Sequence, residues 1–277
     1  MQNAGIQALG LDWLYLAFDV HPDKLGAAIR GAKAMKFIGL NLTVPHKLPA
    51  LQMVEELDES AKTWGAVNTI RFEARGTSGR WQPLVDFPVE IPEEIRARGY
   101  NTDADAIARA LREDLGVDPQ GASVLLLGAG GAGRTAALKL ASEGVGKLFL
   151  INRTERKAEG IAGEIRNRFP RQEVTMGYPK AKVDLVMNTT SLGLKSEDPL
   201  PFDPKQFSLS HARAVFDMVY LPAETPLLRA AKGAGCRTAD GLGMLLYQGA
   251  KALEIWSGRT APLEVMRLAL EKRVHGN

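Results

Sequence analysis

The sequence predicts an α/β protein of two domains, and three observations carry that expectation. Short apolar, β-branched runs alternate with amphipathic stretches, the pattern of β-α repeats with mostly parallel strands. One such run leads directly into a Gly-rich turn, Gly128–Gly133, which opens a helical stretch. The chain is 277 residues long, two domains at roughly 100 to 200 residues each.

Composition narrows the class. Hydrophobic residues make up 45% and charged residues 24%, enough apolar surface for a sizeable core and too little charge for bulk disorder. A formal net charge of +3 lies too near balance for nucleic acid to be the main partner. Cys236 is the only cysteine, so an intrachain disulfide and Cys-based zinc or iron–sulfur centres are excluded, and no metal site is expected. No apolar run reaches the roughly 18 residues of a membrane span, and Met1-Gln2-Asn3 opens no signal peptide. The expected location is the cytoplasm.

The elements follow in chain order. Met1–Leu9, with Ile6 and Leu9 apolar, reads as the inside or end of a helix with no strand in front of it. A parallel β-α-β unit starts with a strand, so a segment upstream of Met1 is expected. Leu14–Phe18 and Phe37–Leu42 read as strands, and Pro22-Asp23 as the first turn of a helix between them. Between Phe72 and Gly99 the composition shifts. Gly76, Gly79, Pro83, Pro88 and Pro92, with Trp81 among them, mark an excursion outside the core. Thr102-Asp103 can cap a helix whose apolar positions Ile107, Leu111 and Leu115 recur at i, i+4 and i+8. Ser123–Leu127, Lys147–Ile151, Val183–Met187 and Ala214–Met218 are further strands. Pro199-Leu200-Pro201 with Pro204 marks a loop. Asp240–Trp256 is apolar enough for a buried helix, and Leu263–Leu270 closes with a helical period.

Gly128-Ala129-Gly130-Gly131-Ala132-Gly133 spells G-x-G-x-x-G between a strand and a helix, with a second strand ending at Ile151. This is the length of a nucleotide-binding β-α-β unit. The first glycine permits the tight turn, the second the approach of backbone to pyrophosphate, and the third close helix–strand packing. The free N–H groups at the helix start then face the phosphates. The end of the second strand selects the dinucleotide. An NAD site places Asp or Glu there, whereas this chain has Asn152-Arg153-Thr154, then Arg156 and Lys157. Arg153 can stack on adenine and fork onto a 2′-phosphate, which favours NADP.

Three upstream stretches close strand-like runs with polar residues, where α/β folds place ligand groups. They are Asn41-Leu42-Thr43-Val44-Pro45-His46-Lys47, Gly65-Ala66-Val67-Asn68-Thr69 and Gly99-Tyr100-Asn101-Thr102-Asp103. Taken singly, Lys47 is a surface lysine, Asn68 a turn former and Asp103 a helix cap. Downstream lie Asn188-Thr189-Thr190-Ser191, Asp217-Met218-Val219-Tyr220 and Gly241-Leu242-Gly243-Met244-Leu245-Leu246-Tyr247-Gln248. Together, in this order and over nearly the whole chain, these motifs resemble the shikimate dehydrogenase family.

The resemblance implies two domains around a cleft: residues 1–103 with 241–277 for substrate, and a Rossmann domain over 104–240. It implies NADP(H)-linked, reversible reduction of 3-dehydroshikimate to shikimate in aromatic amino-acid biosynthesis, by a monomer or homodimer. Carried over by motif, Lys47 and Asp103 are the catalytic pair. Thr43, Asn68 and Gln248 hold substrate hydroxyls, and Tyr220 lies near the substrate. The cofactor set is Gly128 through Gly133, Asn152, Arg153, Thr154, Lys157 and Thr190, with Met218, Gly241 and Met244 bordering the nicotinamide. Reduction of the C3 carbonyl builds negative charge on oxygen, so a cation or proton donor must wait there. Lys47 fills that role, with Asp103 to orient it. His46 reads as a helix-start or surface residue and Cys236 as an inert packed thiol.

Two departures stand out. The family begins with a strand and a Ser-x-Ser loop for the substrate carboxylate, and Met1 aligns just after that loop. The 72–99 stretch is also longer than the family's usual hairpin. A quinate/shikimate dehydrogenase and a non-catalytic nucleotide- or substrate-binding homologue are the alternatives; retention of Lys47 and Asp103 speaks against the second. A glutamyl-tRNA reductase-like protein would need a cysteine near the N-terminus, which is absent.

Overall fold

The computed structural model describes residues 1–87 and 89–276. The chain folds as two compact units, Met1–Asp103 with Gln248–Ala269, and Ala104–Tyr247 with Leu270–Asn277.

The first unit opens with α1, Gln2–Ala8. Pro22 then pre-sets a 3-10 turn, Pro22–Lys24, that leads into α2, Leu25–Ala34. There follow β1 (Gly39–Asn41), β2 (Glu56–Leu57), α3 (Glu59–Trp64), β3 (Thr69–Arg75), β4 (Trp81–Pro83) and β5 (Ile95–Tyr100). The sheet runs β1-β3-β5-β2, with β4 on β3. β3 is antiparallel to β1, β4 and β5, and β2·β5 is the parallel pair. The expectation of mostly parallel strands fails in this unit.

The expected excursion over 72–99 is corrected as well. Phe72 and Ala74 are buried on β3, and Ala97 lies opposite Phe72 on β5. All three join Leu25, Ile29 and Leu84 in the core of the unit. The turn signals at Gly76 and Gly79 make a tight β3–β4 connection, with Gly76 N donating to Arg80 O. Pro88, counted with that stretch, lies outside the described residues. Leu14–Phe18 forms no strand. Tyr15 pairs its N–H and C=O with the Asn3 side chain, while Leu14, Leu16 and Phe18 are exposed. Alternation makes a strand only where a neighbour completes the ladder.

The second unit is the parallel α/β layer the sequence calls for. Its strands are β6 (Ser123–Leu127), β7 (Lys147–Ile151), β8 (Glu173–Met176), β9 (Val183–Asn188), β10 (Ala212–Asp217) and β11 (Arg237–Ala239). They run parallel in the order β11-β10-β9-β6-β7-β8. Counted from β6 this is the doubly wound order of dinucleotide-binding folds, with the switch point between β6 and β9. β8 and β11 escaped the sequence reading because they are short, half-exposed edge strands without an apolar run. The unit's helices are α4 (Asp103–Glu113), α5 (Gly131–Ser142), α6 (Glu155–Arg168) and α7 (Pro226–Gly233). Ile107 and Leu111 of α4 are buried, as their spacing requires. Leu125, Leu127, Val186 and Val215 pack with Leu227 and Leu228 of α7 in one cluster, each worth about 1.5 to 3 kcal/mol of transfer free energy when fully buried. Helices α8 (Leu242–Ser257) and α9 (Leu263–His275) end the chain. Among the described residues no helix is long and apolar enough to cross a membrane.

Candidate functional site

Strand register gathers the polar ends of the first unit. Asn41 of β1 lies opposite Thr69 of β3, and Thr69 opposite Tyr100 of β5. Because β3 runs against its neighbours, its beginning and the ends of β1 and β5 meet at one edge of the sheet. Asn68 precedes β3, Lys47 follows β1, and Asn101-Thr102-Asp103 follows β5. Val67 N donates to Lys47 O and Asn68 N to Tyr100 O, which ties the three segments together.

Lys47 Nζ donates to Asp103 Oδ2 at 2.7 Å. The lysine side chain keeps 28% of its surface exposed and the aspartate 11%, so the pair is shielded yet reachable. Asn68, 1% exposed, is the organiser. Its Nδ2 donates to Asp103 Oδ1 and to Thr102 Oγ1, both at 2.9 Å, and its Oδ1 accepts from Thr102 N at 2.9 Å. Gln248 Oε1 lies 3.4 Å from the same Nδ2. Both carboxylate oxygens of Asp103 are thus held, one by an amide and one by an ammonium. Asn101 Oδ1 accepts from Asp103 N at the start of α4. Thr43 is exposed beside this cluster in sequence, and His46 is half-buried in the turn before Lys47, its Nδ1 buried without a hydrogen-bond partner. Asn41 was not singled out from sequence, yet it donates to Thr69 Oγ1 and Asn68 O and accepts from Tyr15 Oη.

In the second unit the C-terminal ends of β6, β7, β9 and β10 stand abreast, Leu127 opposite both Ile151 and Asn188, and Asn188 opposite Asp217. The Gly-rich turn sits there. Gly128 takes φ +108°, and a Cβ on Gly133 would lie 2.3 Å from Gly128 O, so both positions need glycine. Cβ atoms on Gly130 and Gly131 would meet nothing within 4 Å. Helix α5 starts at Gly131 with no side-chain cap, leaving its first N–H groups for an anion. Asn152 Oδ1 accepts from Ala129 N, and its Nδ2 donates to Thr154 O. Asn152 therefore locks the turn to the loop after β7. Arg153, Arg156 and Lys157 are exposed there, and among the described residues no carboxylate pairs with them. An open cradle, a free helix start and unpaired cations fit a dinucleotide with a 2′-phosphate.

Thr190 Oγ1 donates to Asn188 Oδ1 at 2.7 Å. A Cβ on Gly241 would lie 2.1 Å from Met218 O, so these two segments touch through backbone. Tyr220 and Met244 are half-buried. Cys236 is buried and hydrogen-bonded to Leu209 O, and burial pushes its thiol pKa up.

Such a cradle, with cations where the adenosine ribose would end, defines an NADP-type dinucleotide-binding oxidoreductase. Comparison with known proteins sharpens this. Family models match at residues 1–70 (shikimate dehydrogenase substrate binding domain), 110–191 (shikimate / quinate 5-dehydrogenase) and 241–271 (shikimate 5′-dehydrogenase C-terminal domain). A shikimate dehydrogenase (NADP(+)) of Methanopyrus kandleri is 38% identical over 98% of this chain and 89% of its own length. Among solved structures, a shikimate dehydrogenase in complex with NADP+ superposes with TM-score 0.80 at 32% identity, covering 98% of this chain and 89% of that one. The 5-ketofructose reductase of Gluconobacter sp. strain CHM43 superposes with TM-score 0.79 at 33% identity, covering 98% and 92%. The chain belongs to the shikimate dehydrogenase family.

Proposed function

We propose that this protein reduces 3-dehydroshikimate to shikimate, reversibly and with NADPH, in the cytoplasm and in the service of aromatic amino-acid biosynthesis. The observation that carries the reading is the Lys47–Asp103 pair held by Asn68. Bound NADPH supplies two electrons and a hydrogen to the carbonyl carbon. Negative charge then grows on the carbonyl oxygen. The Lys47 ammonium neutralises it and delivers the proton, a role worth about 10²- to 10⁴-fold in rate. Asp103 keeps that ammonium aimed and accepts from a substrate hydroxyl, and Asn68 keeps Asp103 from rotating. Thr43 and Gln248 complete the hold on the ring, and Arg153 with Lys157 takes the 2′-phosphate.

The likeness to a 5-ketofructose reductase and the quinate branch of the family call for a substrate panel. Purified protein with NADP+ and shikimate should form NADPH with a kcat/KM at least about tenfold above that for quinate, and NAD+ should be the poorer cofactor. Under reducing conditions, 3-dehydroshikimate should likewise outrun 5-ketofructose. The reading fails if 5-ketofructose or quinate is the better substrate, or if shikimate is not turned over.

A further inference from the structure

Asp217 is a carboxylate at 0% exposure that the proposed chemistry does not use. It ends β10, and among the described residues no cation pairs with it. Its Oδ1 accepts from Asn188 Nδ2 at 2.8 Å and from Val219 N at 3.1 Å, and its Oδ2 accepts from Thr225 Oγ1 at 2.7 Å. A buried charge held by neutral donors alone is costly, and burial pushes this carboxyl above the usual range, with Asp240 adding to the effect.

Its partners explain it. Asn188 and Thr225 are also at 0% exposure. Asn188 Nδ2 donates to Leu192 O as well, and Asn188 Oδ1 accepts from Thr190 N and Thr190 Oγ1. Thr225 Oγ1 accepts from Leu228 N at the start of α7, so the segment from Met218 to Thr225 is anchored at both ends to one carboxylate. The two loops also close directly on each other, since Met218 N donates to Asn188 O and a Cβ on Gly193 would lie 3.3 Å from the Thr225 side chain. Both loops follow β9 and β10, in the half of the sheet opposite to β7 and its ribose-end cations.

We infer that Asp217 is a positioning residue: it locks the 188–193 loop to the 217–225 loop and thereby shapes the wall that receives the nicotinamide half of the cofactor. The inference rests on the reading that Met218 borders the nicotinamide and that Thr190 binds the cofactor. It makes the two halves of the cofactor separable. The adenosine half is held by the Gly-rich turn and Arg153, neither of which hydrogen-bonds Asp217.

The test is equilibrium binding to the whole protein, with NADPH followed by its fluorescence and adenosine 2′,5′-bisphosphate by calorimetry. Asp217→Ala should weaken NADPH about tenfold and leave the bisphosphate within about twofold. Asp217→Asn retains an acceptor for Asn188 and Val219 and should restore NADPH binding to within about threefold. Equal loss of both ligands in Asp217→Ala, or loss of neither, overturns the inference. If that variant does not fold, Thr225→Val, which removes only the Oδ2 contact and the α7 cap, should weaken NADPH severalfold with the bisphosphate unchanged; no selective loss overturns it. Wild-type protein that binds both ligands but ignores shikimate refutes the proposed function and leaves this assignment standing on its own binding data.

Discussion

Replacing Lys47 by methionine removes the one ammonium that stands 2.7 Å from Asp103 while keeping an unbranched side chain only one atom shorter. Proton delivery and neutralisation of the oxyanion reside on the same nitrogen, so their effects do not multiply. A general acid is worth about 10²- to 10⁴-fold and one charge-stabilising donor about 10²- to 10³-fold, which places the expected fall in kcat near 10³, or about 4 kcal/mol of transition-state stabilisation. The fold should barely notice. The lysine is 28% exposed and Asp103 keeps its bond from Asn68, so breaking the pair costs about 1 kcal/mol, a Tm shift of about 2 to 4 °C. Lys47→Arg separates the two roles, because a guanidinium supplies charge but does not give up its proton. The assay is the absorbance of NADPH formed from shikimate and NADP+, with kcat and KM resolved for each variant. Turnover in Lys47→Met within about fivefold of wild type would refute the assignment of Lys47 as the acid. Full activity in Lys47→Arg would leave charge alone as its contribution.

Other outcomes follow from the second unit. Gly133→Ala drives a Cβ to 2.3 Å from Gly128 O and should cost about 2 to 3 kcal/mol in urea unfolding, whereas Gly130→Ala, at φ −80° with open space around it, should leave stability within about 0.5 kcal/mol while weakening NADPH by about tenfold or more. Arg153→Asp should lower kcat/KM for NADP+ about 100-fold by repelling the 2′-phosphate and spare NAD+, as parallel assays would show. The raised pKa of Asp217 means the folded state holds that proton more tightly than the unfolded chain. Its contribution to stability is therefore present at low pH and lost as pH rises from the ordinary carboxylate range through the raised value. Asp217→Asn lacks this titration, so urea unfolding near pH 4 (about the ordinary carboxylate range) and again at a higher pH of about 7 should show the stability of the variant relative to wild type improving with pH. A flat or opposite trend would contradict the burial argument.

Legibility differs between the two units for a physical reason. In the second, β6 and β7 are apolar runs each followed by its own helix, and they fall on the residues the sequence marks, Ser123–Leu127 and Lys147–Ile151. Local pattern suffices because all but the β6–β9 pairing is between consecutive strands, and the Gly-rich turn is a local backbone requirement. The family motifs likewise mark Lys47, Asn68 and Asp103 in the listing of residues.

Tertiary structure alone decided how those residues act. Asn68 and Asp103 lie 35 positions apart and meet only because β3 runs antiparallel to β1 and β5. The same pairing turned a Gly- and Pro-rich stretch into core, since β3 finds its hydrogen bonds on β4 and β5. Leu14–Phe18 shows the converse: its alternation is that of a strand, and without a neighbour to complete the ladder it is none. Asp217 opens the Asp217–Tyr220 motif, yet its contacts depend on Asn188 and Thr225, brought to it by the alignment of β9 with β10 and the start of α7. Composition and period declare which residues prefer burial or a given backbone shape. Which distant donor meets which acceptor is settled only when the chain has folded.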